Sequence, residues 1–234
     1  MEVKKVKNSQ ARLGPTAVVI LTNAEKLFAT KGLDLVSLRE ISRASGQKNN
    51  SALQYHFGDR DELINAILDY RMIPLNQRRL QMVAEIEYAG QTNNVRKLVS
   101  AIVLPFVSAV SKCGIANRPH IWDLQAPEES YYISLMSQLF ARHQAHVVFN
   151  GDESRASGIW SLLVYLAGLL GLSDEEFVAR MEFTGTEIVH TVASWDHLRR
   201  TQPELMTNEM LTVKAEWLIS FVEGALLNKP LVEN

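Results

Sequence analysis

The chain is expected to fold as an all-α protein, on two observations. Apolar residues recur at three- and four-residue spacing in about nine segments. No stretch sustains the period-two alternation, bounded by turn residues, that marks strands. A third observation divides the chain. Between Ser37 and Leu63, the sequence SLREISRASGQKNNSALQYHFGDRDEL packs the starts and stops of three short helices into one stretch, and much longer helical patterns follow it.

Residues 1–14 read as a polar arm. Pro15 and Thr16 open the first helix, because proline is tolerated in a first turn. Ile20, Ala24, Leu27 and Phe28 form its apolar stripe, and Gly32 ends it. Ser37 and Glu40 make a capping box that starts the second helix. Leu38, Ile41 and Ala44 share its apolar face, and Gly46 stops it, since glycine enters a left-handed turn cheaply. A third helix over about 50–57 carries Leu53 and Phe57, four apart on one face. Asp59 and Glu62 form an acidic capping pair that opens a fourth helix near Arg60, with Leu63, Ile64, Ile67 and Leu68 apolar. Pro74 is expected to kink or break it, and the pattern then resumes to Tyr88.

Gly90 to Asn94 reads as a loop, Val95 to Ser111 as a helix bent at Pro105, and Lys112 to Pro127 as irregular. Glu128 to Phe149 reads as one helix and Glu153 to Leu170 as a strongly apolar one. Ser173 with Glu176 is a further capping box, opening a long helix to about Arg200. The last helix covers about Asn208 to Leu227, and no repeat or low-complexity tract interrupts the series.

Apolar residues at 47 % and charged residues at 21 % suit a soluble globular protein with a sizeable core. The single cysteine, Cys113, excludes internal disulfides and Cys-rich metal sites. No N-terminal apolar run with a cleavage site is seen, and no stretch reaches the roughly 18 uninterrupted apolar residues of a membrane span. A cytoplasmic setting is expected. The net charge of −2 is unevenly spread. Residues 1–60 hold ten Lys/Arg and five Asp/Glu, hence +5, while the remainder is −7. A basic head on an acidic body is the charge pattern of a small nucleic-acid-binding unit on an unrelated body.

Two short helices joined by a turn at Gly46 form a helix-turn-helix pattern, whose second helix enters the DNA major groove. Lys48, Asn49, Asn50, Ser51, Gln54, Tyr55 and His56 lie in the turn and on the third helix, off its Leu53–Phe57 face. Asn and Gln pair bidentately with adenine, so Gln54 and Asn50 are the base-reading candidates. One such motif reads only a few base pairs, so a dimer is expected. The last two helices supply the surface for it, with Ile188, Val192, Trp195, Trp217 and Phe221 on broad apolar faces that could build a four-helix bundle with a second copy.

These residues resemble the TetR-type (TetR/AcrR) transcriptional regulators. The resemblance rests on a first helix ending in LFATKG, on SLREISRASG, on SALQYHF followed by GDRDEL, and on a closing helix ending VEGALLNKP. Its specific part spans about Pro15 to Asp69; the rest matches only in helix number and length. Two departures stand beside it. Gly46 to Phe57 spans twelve residues where eleven are common, and Gln54 and Arg60 stand where members usually carry an aromatic residue and a lysine.

The resemblance implies phosphate contacts from Lys48, Tyr55, His56 and Arg60. It implies a DNA-binding domain with its arm over residues 1–59 and a helical ligand-binding and dimerisation domain over residues 60–234. In the family the middle helices enclose an inducer pocket, and Trp122, Met136, Phe140, His143, Trp160 and Tyr165 are the candidates for it. The implied protein is a ligand-responsive repressor, binding a palindromic double-stranded operator as a homodimer, with an unidentified small-molecule effector and no membrane partner. The rival is a helical interaction or small-molecule-binding module that has lost specific operator binding.

An enzyme is not expected, nor a metal or other cofactor. His143 and His146 lie three apart, which is not the zinc-protease spacing, and no third ligand is evident. Gly168 and Gly171 follow no strand, and Gly158-Ile159-Trp160-Ser161 lacks the spacing of a nucleophile elbow.

Overall fold

Helices of seven residues are marginal in isolation, so their shape must come from caps and packing. Both are visible in the computed structural model of the chain, which describes residues 13–110, 130–142, 147–148 and 153–228. These residues hold nine α-helices and no strand: α1 (Pro15–Lys31), α2 (Leu38–Ala44), α3 (Ser51–Phe57), α4 (Arg60–Tyr88), α5 (Val95–Ser108), α6 (Tyr132–Ala141), α7 (Ser157–Leu170), α8 (Asp174–Thr201) and α9 (Asn208–Leu227). Short 3-10 turns at Glu153–Arg155 and Pro203–Leu205 precede α7 and α9.

The head is α1 to α3 packed on the start of α4. Ile20, Leu21, Ala24, Phe28, Ile41, Leu53, Leu63 and Ile67 are completely buried there. Ser37 Oγ accepts from the Glu40 amide at 3.2 Å, as the capping box requires. The Glu40 carboxylate pairs with Lys31 on α1 at 2.5 Å and also interacts with the Ser37 backbone N–H, and both hold it below the ordinary carboxylate pKa. Gly58, between α3 and α4, has φ 67° and ψ −96°, a combination that side chains other than glycine's do not tolerate. Asp59 then caps α4, accepting from the Glu62 amide at 2.9 Å.

Pro74 does not break α4, which runs unbroken for 29 residues. Pro74 itself is exposed, while Met72, Leu75, Asn76 and Arg79 around it are buried. Packing on both sides of the proline overrides its local penalty. α5 is buried along most of its length, Pro105 included, and stops at Ser108. α6 is shorter than the pattern suggested. Ser130 and Tyr131 stay outside it, because the Tyr131 amide donates to Glu25 on α1 at 2.5 Å, and Arg142 already lies in a turn. Cys113, Glu128 and His146 lie outside the described residues.

In the body α4 packs on α5 and α7, α6 on α8, and α5 on α9. Ser173 and Thr207 cap α8 and α9, each accepting a backbone N–H at 3.2 Å. Among the described residues no helix is long and apolar enough to cross a membrane.

Candidate nucleic-acid interface

α3 is anchored by Leu53 and Phe57, which point into the head core, and this turns Ser51, Gln54, Tyr55 and His56 to solvent. Tyr55 is 85 % exposed, and its ring meets that of His56 edge-on at 5.1 Å. Lys48 and Asn49 are exposed in the turn before α3. That turn runs from Ser45 to Asn50. It is longer than the three or four residues common in such motifs, and it takes up the extra length without disturbing the Leu53–Phe57 face.

The start of α3 is secured from the turn. Asn49 Oδ1 accepts from the Ser51 amide at 3.0 Å. Asn50 occupies the N-cap position but makes no side-chain cap bond, and its Oδ1 is sealed from solvent without a partner among the described residues. Of the two amides expected to read bases, Gln54 therefore projects freely and Asn50 is half-buried.

A solvent-facing polar helix, held by two core anchors behind a glycine-terminated first helix, is a helix-turn-helix reader. Residues 20–67, from within α1 into α4, match the family model described as bacterial regulatory proteins, tetR family. The head is that of the TetR family. No curated protein matches the chain.

Within this TetR-type head, Arg60 departs from expectation. Its Nη1 donates to the Val36 carbonyl at 2.8 Å, and its guanidinium lies 5.0 Å from the centre of the Phe28 ring. It braces α4 against the α1–α2 connection, an internal role not expected of it. Two further cations, Arg39 and Arg43, stand beside the expected contacts. They lie four apart on α2, off its Leu38–Ile41 face, and both are exposed. Charge at that spacing on the first helix of the motif is their signal in the sequence.

Of the pocket candidates, Met136 is fully buried on α6, and Phe140 and Tyr165 are half-buried. The Tyr165 hydroxyl donates to Glu87 at 2.6 Å, which raises its pKa and ties α7 to the end of α4. Trp160 is 54 % exposed, where a buried position was expected of a pocket residue. It lies on α7 four residues before Val164, which is exposed too, while Leu162 and Leu166 cover the core. Trp122 and His143 lie outside the described residues.

The dimer candidates split. Ile188, Val192 and Trp195 are covered by their own chain, because the face of α8 that bears them packs within the body. They are core residues and not a surface for a partner. Trp217 and Phe221 are 63 % and 58 % exposed. With Met210 and Val213, also exposed, they form one stripe along α9 at helical spacing. Among the described residues no three His, Cys, Asp or Glu cluster in a way that could hold a metal ion.

Proposed function

We propose that the chain is a ligand-responsive transcriptional repressor of the cytoplasm that binds a palindromic operator as a homodimer. Residues 1–59 would form the DNA-binding unit with its arm, and residues 60–234 the ligand-binding and dimerisation body. The exposed polar face of α3 carries this reading. Gln54 stands ready for a base edge, and Lys48, Tyr55 and His56 flank it for phosphates. The exposed stripe Met210–Val213–Trp217–Phe221 supports the dimer, since an apolar row on a terminal helix fits a second copy of itself in an isologous contact. An effector would act through its different affinity for two states, typically about 1–3 kcal/mol of coupling.

Selection of bound genomic fragments by the purified protein, followed by salt titration, tests the proposal. The expected outcome is a palindromic site bound well above the non-specific electrostatic background. Lys48→Ala should weaken binding to all sequences and lower the salt slope by about one. Gln54→Ala should relax specificity at one position by about 1–3 kcal/mol. Binding no tighter to any fragment than to bulk DNA would favour the rival reading of an interaction module, to which the long α2–α3 turn gives some support.

A further inference from the structure

Four charged side chains are buried among the described residues: Glu25, Arg79, Arg155 and Asp196. Three of them are ion-paired. Glu25 meets Arg71 at 2.7 Å, Asp196 meets Arg200 at 3.0 Å, and Arg155 meets Asp69. Arg79, on α4, meets no carboxylate among the described residues, although it is only 2 % exposed.

Arg79 is held firmly all the same. Its Nε donates to the Ala101 carbonyl of α5 at 3.2 Å, and its guanidinium lies 5.3 Å from the centre of the Phe106 ring. Its stem runs against Gly158 at the start of α7, where an added Cβ would stand 3.1 Å from Arg79 Cγ. One of its two terminal nitrogens, Nη2, is sealed from solvent and has no hydrogen-bond partner among the described residues. The Tyr132 hydroxyl on α6 is in the same position, buried and unpartnered, and lies within the electrostatic reach of Arg79. Burial pulls the Arg79 pKa down to about 10, which still leaves the group cationic at neutral pH.

The interior where α4, α5, α6 and α7 meet thus contains a fixed positive charge and two unused donors. A buried water could satisfy the donors but not the charge. An anionic ligand group satisfies both, and the arginine fork is matched to a planar carboxylate. We propose that Arg79 and Tyr132 form the polar end of an effector site for a carboxylate on an apolar body, such as a fatty or aromatic acid. The apolar part would lie among Ile102, Phe106, Met136 and Leu162, which are buried on the surrounding helices. Phosphate esters fit less well, because a dianion calls for more cations than the one left unpaired here. This inference rests on the ligand-responsive reading given above.

Thermal denaturation of the full chain with octanoate and with benzoate, each beside its neutral amide, tests it. Both acids should raise the midpoint and the amides should not. Arg79→Met removes a buried unpaired charge but also the donor to the Ala101 carbonyl, which Pro105 cannot bond, so the unliganded protein should change little in stability, and the shift with acids should vanish. Tyr132→Phe keeps the core shape and should weaken acid binding about tenfold or more. It also serves as the readout should Arg79→Met fail to fold. Equal shifts with acid and amide, shifts that survive in Arg79→Met, unaltered acid binding in Tyr132→Phe, or no shift with either acid would each overturn the assignment. Operator affinity is measured separately. Acids that bind through Arg79 without altering DNA affinity leave this site standing and remove the ligand-responsive reading. Amides that release DNA do the reverse.

Discussion

Glu25 on α1 and Arg71 on α4 form a 2.7 Å ion pair that is almost closed to solvent. The same carboxylate accepts from the Tyr131 amide at 2.5 Å and from Ser130 Oγ at 3.3 Å. One side chain thus fastens the head to the long helix and to the segment that leads into α6. Gln138 on α6 adds a second fastening, donating to the carbonyls of Phe28 and Ala29 and accepting from the Leu33 amide. Glu25→Ala leaves a guanidinium and a backbone N–H without an acceptor. It should cost about 3 kcal/mol, the low end for breaking a buried pair, in urea unfolding. A loss below about 1 kcal/mol would mean that water takes over the role of the carboxylate.

Arg60 should behave as a structural residue in a place where a phosphate contact was expected. Arg60→Ala removes the bond to Val36 and the stacking on Phe28. Stability should fall by about 1–2 kcal/mol. The salt slope of DNA binding should stay as it is, measured by fluorescence anisotropy between low and moderate salt. A slope that drops by one would return Arg60 to the phosphate contacts.

Asp34 and Arg142 join the α1–α2 connection to the end of α6 through two hydrogen bonds of 2.8 and 2.5 Å. The Arg142 guanidinium holds the Asp34 carboxyl below its ordinary pKa of 3.8. A depressed carboxylate stabilises the fold above its unfolded pKa and loses that contribution as pH falls through the folded value. The wild-type protein should therefore exceed Asp34→Asn in stability at neutral pH. The gap should shrink below about pH 4. Both groups are exposed, so the gap is small at any pH. A gap that widens in acid would be incompatible with this pair.

Trp217→Glu places a charge at the centre of the exposed stripe on α9. If α9 forms the proposed dimer, sedimentation should then report monomers at concentrations where the unaltered protein sediments as a dimer. The helical circular dichroism signal should be unchanged, because Trp217 is mostly exposed in the single chain. Trp195→Glu makes the contrast. It should unfold the body, since Trp195 is already buried within it.

The head was legible because its signals are local. A Ser37 cap, a following glycine and apolar residues three apart define α2, and two apolar residues four apart with a following glycine define α3; all fall within about one turn of what they control. α9 was equally legible, bounded by the stretch from Thr207 to Asn228. Pro74 misled because its penalty is local while the packing that outweighs it comes from elsewhere in the body. Arg60, Glu25 and Arg79 were invisible for the same reason. Their partners at Val36, Arg71 and Ala101 are 24, 46 and 22 residues away, with no spacing rule to link them. Trp195 and Trp217 look alike in sequence, since both lie on wide apolar faces. Only the packed chain tells the covered face from the bare one.

The proline in α4 has one more result. Pro74 lies between Arg71, which grips the head through Glu25, and Asn76, whose amide bonds Ser154, Ser157 and the backbone of Gly158 at 2.9 Å. Proline brings no N–H, so the Tyr70 carbonyl lacks its usual helical donor. One rung is missing from the ladder just where the grip passes from head to body. The one helix that joins head to body is thus fastened on either side of the position where its own hydrogen bonding is weakest.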